Sequence, residues 1–97
     1  DYTGALPLYV TENGMANPDT PDQPDQARID YLEAHLNAAR EAIAQGVPLE
    51  GYICWSLLDN YEWSLGYEKR FGLVHVDFDS LKRSPKASYE SLAQWWR

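Results

Sequence analysis

The 97-residue chain is long enough for one small domain, and its 44% hydrophobic content provides enough apolar surface for a core. Its net charge of −7, without a run of Lys or Arg longer than two, argues against nucleic acid and anionic membranes as partners. The single cysteine, Cys54, cannot form an intrachain disulfide, and His35 and His75 lack zinc-like spacing, so no metal site is expected. Because neither a run of about twenty apolar residues nor a leader-like segment is present, we expect a cytoplasmic protein that has no membrane partner.

The first apolar run, residues 6–12, contains β-branched side chains and predicts a short buried strand. Pro7 stands near its start, where the missing N–H is tolerated. The run ends at Glu12, followed by Asn13 and Gly14, which permit a turn. In parallel α/β folds the carboxyl ends of strands form the functional edge, so Glu12 is a candidate site residue.

A loop rich in Pro and Asp, residues 17–25, follows and is expected to be solvated. Residues 26–45 then predict a helix, because apolar side chains recur at three- and four-residue steps: Ile29, Leu32, Leu36, Ala39 and Ile43. Asp25 is placed to cap the start of this helix, and Gly46 with Pro48 should end it.

A second apolar run, residues 51–58, predicts another buried strand. A helix between two such strands is a βαβ unit, whose strands lie parallel. Glu12 and the segment of residues 55–63 should therefore meet at one edge, although they are far apart in sequence.

The rest of the chain predicts a polar loop at residues 64–70 and a short edge strand at residues 71–78. That strand could form a hairpin with the residues after Asp79. Ser84 and Pro85 are typical of a helix start, so we expect a last helix over residues 84–97. Its apolar face consists of Tyr89, Leu92, Ala93 and Trp96.

Aromatic rings and a carboxylate gathered beyond the second strand suit a sugar site. Indole rings offer flat apolar faces to C–H groups, and a carboxylate accepts hydrogen bonds from hydroxyls. The ordinary interpretation is a core tryptophan followed by a surface turn.

Five segments resemble, in order and separation, the C-terminal part of a glycoside hydrolase family 1 β-glucosidase: residues 8–14, 51–63, 66–67, 70–73 and 83–86. The resemblance implies an α/β fold, namely the C-terminal quarter of a (β/α)8 TIM barrel. Residues 6–12 and 26–45 would be strand and helix seven, and residues 51–58 and 84–97 strand and helix eight.

A complete barrel needs about 250 residues, so residues 1–97 are expected to be one segment of a single catalytic domain that is incomplete alone. A complementary chain carrying the first six strands would be its partner, unless the sequence is part of a longer enzyme.

Family members hydrolyse β-glycosides with retention, using two carboxylates about 5–5.5 Å apart and no cofactor. The resemblance makes Glu12 the catalytic nucleophile. The acid/base belongs to a Thr-x-Asn-Glu-Pro motif, which is absent from this chain.

The resemblance also assigns substrate-binding roles. Glu62 would accept hydrogen bonds from the 4- and 6-hydroxyls, Trp63 would lie near the 3- or 4-hydroxyl, Trp55 would stack under the ring, and Phe71 would border the 6-hydroxymethyl group. Because a carboxylate repels phosphate, Glu62 favours an unphosphorylated glucoside, galactoside or fucoside. The resemblance further implies a cis peptide bond between Trp55 and Ser56.

Several alternatives stay open. Glu12 could be an ordinary turn glutamate, and Trp55 a packing residue. The whole protein could be a sugar-binding or interaction protein on a degenerate barrel, a relative that cleaves thioglycosides without an acid, or an inactive isolated fragment.

Overall fold

A computed structural model describes residues 4–20 and 25–95. Within these two ranges the chain forms four strands, two α-helices and one turn of 3-10 helix at Trp63–Leu65. In chain order the other elements are β1 (Leu8–Asn13), α1 (Gln26–Ala44), β2 (Leu49–Cys54), β3 (Val74–Val76), β4 (Arg83–Pro85) and α2 (Ala87–Gln94). No helix in these two ranges is both long and apolar enough to cross a bilayer.

The first three elements confirm the predicted βαβ unit. Strands β1 and β2 pair in parallel, with Leu8 opposite Leu49 and Asn13 opposite Cys54. The predicted end of β2 was wrong, because the strand stops at Cys54 rather than residue 58. Beyond that point the backbone turns to another partner: the N–H of Ser56 donates to the Phe71 carbonyl at 3.1 Å.

The hairpin near the C-terminus is confirmed, but the predicted helix start is wrong. β3 and β4 pair antiparallel, with Val74 opposite Pro85 and Val76 opposite Arg83. Ser84 and Pro85 thus belong to a strand, and α2 begins at Ala87. Pro85 is tolerated there because β4 is paired on one side only among the described strands. The predicted end of the helix, residues 96–97, lies outside the described ranges.

Asp25 precedes α1 as predicted, but its side chain does not cap that helix. Its carboxylate instead accepts hydrogen bonds from the Ser88 N–H, at 3.1 Å, and from the Ser88 hydroxyl. Because Ser88 lies in the first turn of α2, this buried carboxylate joins the starts of the two helices.

The core is small and lies between the helices and the hairpin. Leu32, Leu73 and Leu92 form it, with Tyr31, Leu36 and Cys54 packed against them. The chain nevertheless exposes 6830 Å², whereas a compact monomer of 11.1 kDa exposes about 5,700 Å². Its radius of gyration is 15.2 Å, against about 12.5 Å for a compact chain of this length.

The excess area includes apolar side chains on and beside the parallel strand pair. Tyr9 and Ile53 are 58% and 57% exposed, and Leu57 is 60% exposed. Parallel strands are normally buried on both faces. The two-stranded parallel sheet therefore has the surface of a sheet that continues into further strands.

Candidate active site

The ends of the two parallel strands bring Glu12 beside the loop that follows β2. Asn13, the last residue of β1, pairs with Cys54, and the Trp55 N–H donates to the Asn13 carbonyl at 2.8 Å. Glu12 precedes this junction and is exposed. The predicted juxtaposition of Glu12 with the segment starting at Trp55 is therefore present in the fold.

A tyrosine fixes the side chain of Asn13. The Tyr52 hydroxyl donates a short hydrogen bond to the Asn13 side-chain oxygen. Burial, with smaller contributions from Cys54 and Tyr31, raises the pKa of Tyr52 to about 12, so the hydroxyl keeps its proton as a donor. This bond holds the residue next to Glu12 against β2.

The turn after β1 passes directly over the start of the next loop. A Cβ atom at Gly14 would lie 1.9 Å from the Trp55 carbonyl oxygen, so only glycine fits this approach. The Trp55–Ser56 peptide bond is cis, as the resemblance implied. We call residues 14–20 the β1 loop and residues 55–73 the β2 loop.

An open cleft of about 440 Å³ lies within the β2 loop. The residues that line it are Trp55, Asn60, Tyr61, Glu62 and Trp63. Three of the predicted substrate-binding residues are thus brought together, and Trp63 is 85% exposed. Glu12 and Phe71 are not among the described lining residues, and Phe71 is tied to the site through the backbone contact of its carbonyl with Ser56.

Short-range hydrogen bonds hold this cleft in shape. The Asn60 side-chain amide donates to the Ser56 hydroxyl at 3.1 Å and to the Leu58 carbonyl at 3.0 Å. The Glu62 N–H donates to the Gly66 carbonyl at 2.8 Å. Sequence reasoning left Asn60 and Tyr61 as structural residues. Their position between Trp55 and Glu62 was the available signal that they line the same cleft.

Asp59, which directly precedes a run of residues that line the cleft, is buried and surrounded by donors. Its carboxylate accepts from Arg70 at 2.6 Å, Lys86 at 2.9 Å, the Gly72 N–H at 3.0 Å and the Val76 N–H at 3.2 Å. Burial alone would raise the pKa of Asp59, but the hydrogen bonds and charges of Lys86 and Arg70 hold it below its ordinary value. Asp59 therefore carries a negative charge at neutral pH and anchors the β2 loop.

The arrangement offers an exposed carboxylate at a strand end and, beside it, a cleft with two indoles and a second carboxylate. Such groups can bind a sugar ring and supply an oxygen nucleophile. Within residues 4–20 and 25–95, no three His, Cys, Asp or Glu side chains are grouped so as to hold a metal ion.

Comparison with known proteins gives a consistent result. The family model of glycosyl hydrolase family 1 matches residues 1–96. β-Glucosidase A of Thermotoga maritima is 54% identical over 84% of this chain and 19% of its own length. A 6-phospho-β-galactosidase of Staphylococcus epidermidis is 45% identical over 97% of this chain and 22% of its own.

Among solved structures, a β-glucosidase from Exiguobacterium marinum matches with a TM-score of 0.88 and 44% identity. The match covers 94% of this chain and 21% of that one. The chain thus spans about a fifth of the length of its relatives, and it aligns with a small part of their TIM barrels. The chain belongs to glycosyl hydrolase family 1.

Proposed function

We propose that this chain supplies the nucleophile and part of the sugar site of a retaining β-glycosidase. The observation that carries the proposal is the placement of Glu12 and the β2-loop cleft at the same edge of a parallel strand pair. In barrel enzymes that edge holds the catalytic residues. We assign β1 and β2 to strands seven and eight of the barrel, which places residues 1–97 in its C-terminal quarter.

In the proposed reaction the Glu12 carboxylate attacks the anomeric carbon, and the bond to the aglycone oxygen breaks. An acid/base residue from outside this chain protonates that oxygen. The same residue then takes a proton from water, which attacks the glycosyl-enzyme and releases Glu12 as a carboxylate. The exposure of Glu12 in this chain supports the role, since substrate must reach it.

The sugar is proposed to bind in the β2-loop cleft. Glu62 accepts hydrogen bonds from the 4- and 6-hydroxyls, and Trp63 lies near the 3- or 4-hydroxyl. Trp55 stacks under the ring, and Phe71 borders the 6-hydroxymethyl group. The common lining of the cleft by Trp55, Glu62 and Trp63 supports the first three roles, and the link from Phe71 to Ser56 supports the fourth.

The substrate class follows from the charge of the cleft. The relatives of this chain include β-glucosidases and 6-phospho-β-galactosidases, so family membership alone leaves the substrate open. Among the described residues, those that line the cleft carry one carboxylate, that of Glu62, and no Lys or Arg. A 6-phosphate would be repelled there, which favours unphosphorylated β-glucosides, β-galactosides or β-fucosides.

A non-catalytic sugar-binding protein is the second candidate, because the acid/base lies outside this chain. This candidate keeps the cleft but predicts no chemistry at Glu12.

A lone cysteine, Cys54, fits a reducing compartment, and we propose a cytoplasmic location.

We further propose that the chain needs the rest of the barrel, in a second chain or the same one, as its folding partner. The exposed apolar face of the β1–β2 pair supports this requirement. Residues 1–97 alone should therefore show no cooperative thermal unfolding by circular dichroism. A sharp transition with the enthalpy of about 60–80 kcal/mol typical of an independent domain of this size would contradict the proposal.

The decisive test of function is covalent labelling of a complete barrel, meaning this segment with the rest of its own protein or with the remainder of the Thermotoga maritima enzyme. The probe is a 2-deoxy-2-fluoro glucoside with a dinitrophenyl leaving group, which departs without acid assistance. Peptide mass mapping should find the adduct on Glu12. The 6-phosphorylated probe should label about tenfold more slowly or worse, because Glu62 repels it.

The outcomes separate the candidates. A folded barrel that binds glucose but forms no adduct is a sugar-binding protein, and the glycosidase proposal fails. An adduct on another residue refutes the role of Glu12. Faster labelling by the phosphorylated probe overturns the substrate class alone.

A further inference from the structure

Lys86 lies at the start of α2 and reaches two loops. Its backbone N–H donates to the Leu73 carbonyl at 2.9 Å, which fixes its position after β4. Its side chain is only 7% exposed. The ammonium group donates to Asp19 at 2.7 Å and to Asp59 at 2.9 Å.

The two carboxylates belong to the two halves of the proposed site. Asp19 lies in the β1 loop, which leads away from Glu12. Asp59 lies in the β2 loop, between Trp55 and Glu62. One buried cation therefore bridges the loop that follows the nucleophile and the loop that lines the sugar cleft.

Other contacts fasten each carboxylate to the body of the chain. Asp59 also faces Arg70 at 2.6 Å and His75 at 3.5 Å, and Asp19 faces Arg28 at 2.6 Å. Arg28 also reaches both loops, through the carbonyls of Met15 and Arg70. The backbones of Asn17 and Arg70 join the loops directly, by two N–H to carbonyl hydrogen bonds of 3.0 and 2.8 Å. Lys86 is the described side chain that ion-pairs with an acid of each loop.

Such a bridge is an inefficient source of stability. A buried ion pair loses most of its attraction to desolvation, and an apolar replacement is often equally stable. What the bridge does fix is the separation between two backbones, because each contact is short and buried.

We propose that Lys86 is a positioning residue for the hydrolysis. Together with the Asn17–Arg70 backbone pair, it sets the place of the β1 loop relative to the β2 loop. It thereby sets the place of Glu12 relative to a sugar held in the β2-loop cleft. The inference rests on the proposed function. Since a misplacement of about 1 Å costs up to about a hundredfold in rate, loss of Lys86 acts on attack by Glu12 more than on sugar binding.

The test compares three variants of the complete barrel, beginning with Lys86→Met, which keeps the length of the side chain and removes its charge. We expect kcat for an unphosphorylated aryl glucoside to fall about 10- to 100-fold while KM changes little. Lys86→Arg should restore most of kcat, because the guanidinium keeps the cation between Asp19 and Asp59. Lys82→Met, at an exposed lysine of the β3–β4 connection, is the matched control and should leave both constants unchanged.

A folded Lys86→Met variant with the parent kcat overturns the inference. So does a rise in KM as large as the fall in kcat, if Lys86→Arg does not reverse it. If Lys86→Met does not fold, Asp19→Asn decides, since it removes one end of the bridge and leaves Lys86 on Asp59. A parent-like kcat in Asp19→Asn, or failure of both variants to fold, assigns the bridge to folding and overturns the inference. These outcomes are distinct from failure of the proposed function, in which the parent barrel itself forms no adduct on Glu12.

Discussion

Replacing Glu12 with glutamine in the complete barrel is expected to lower kcat for β-glucosides by a factor on the order of 10⁴ to 10⁶. The amide is a poor nucleophile, so the glycosyl-enzyme does not form. The glutamine side chain keeps the size of the glutamate and its place at the end of β1. Steady-state hydrolysis of an aryl glucoside measures the loss. Glu33→Gln, at an exposed position on α1, is the matched control and should keep the parent rate.

Stereochemistry then distinguishes a nucleophile from an acid/base. The variant Glu12→Ala opens space for an external anion at the anomeric carbon. With azide and a dinitrophenyl β-glucoside, one displacement should give the α-glucosyl azide and dinitrophenolate. Formation of the β-glucosyl azide would mean that a covalent intermediate still forms, and Glu12 would then not be the nucleophile.

The features of the fold that were predictable from sequence are those with local signals. The apolar period of α1 and the β-branched run of β1 each predict an element from its own residues. The β1–α1–β2 order then determines the parallel pairing that places Glu12 beside Trp55. The end of β2 was mispredicted because the apolar run continues past Cys54 while the backbone leaves the strand.

Two helix-capping predictions failed for a common reason, although α1 does start after Asp25 as predicted. Asp25 and Ser84 have the residue types that cap helices, but capping preference describes only local partners. Asp25 bonds instead to Ser88, 63 residues away in sequence, and Ser84, in β4, pairs with His75 of β3. Tertiary contacts of this kind leave no local trace in one sequence.

The candidate site divides in the same way. Trp55, Glu62 and Trp63 are close in sequence, so their common cleft was foreseeable from one motif. The bridge from Asp19 to Lys86 joins residues that are 67 positions apart in sequence. Asp19 lies in a loop that the sequence predicts to be solvated, so the bridge was not predictable. The roles of the site residues in catalysis and binding stay predictions until the labelling and the variants are measured.

The substitution Gly14→Ala should damage both stability and activity, because Gly14 lies where the two loops meet. The added Cβ would be 1.9 Å from the Trp55 carbonyl oxygen and 3.0 Å from its carbonyl carbon. These are backbone atoms next to the bond from the Trp55 N–H to the Asn13 carbonyl, so they cannot move without disturbing the strand junction. We expect a loss of about 3 kcal/mol in unfolding free energy, with kcat/KM reduced about a hundredfold.

Gly46→Ala is the control that separates the steric clash of an added Cβ from the general cost of replacing a glycine. Gly46 has a φ of +95°, and apart from its chain neighbours no described residue has an atom within 4 Å of a Cβ built there. It follows α1 at the opposite end of the strands, so alanine should cost about 1 kcal/mol of backbone strain and leave kcat/KM unchanged. Thermal melts and steady-state rates on both variants give the comparison. If Gly14→Ala instead matches Gly46→Ala in both unfolding free energy and kcat/KM, the backbone at Trp55 moves aside at little energetic cost. The separation of the two loops is then not set at Gly14.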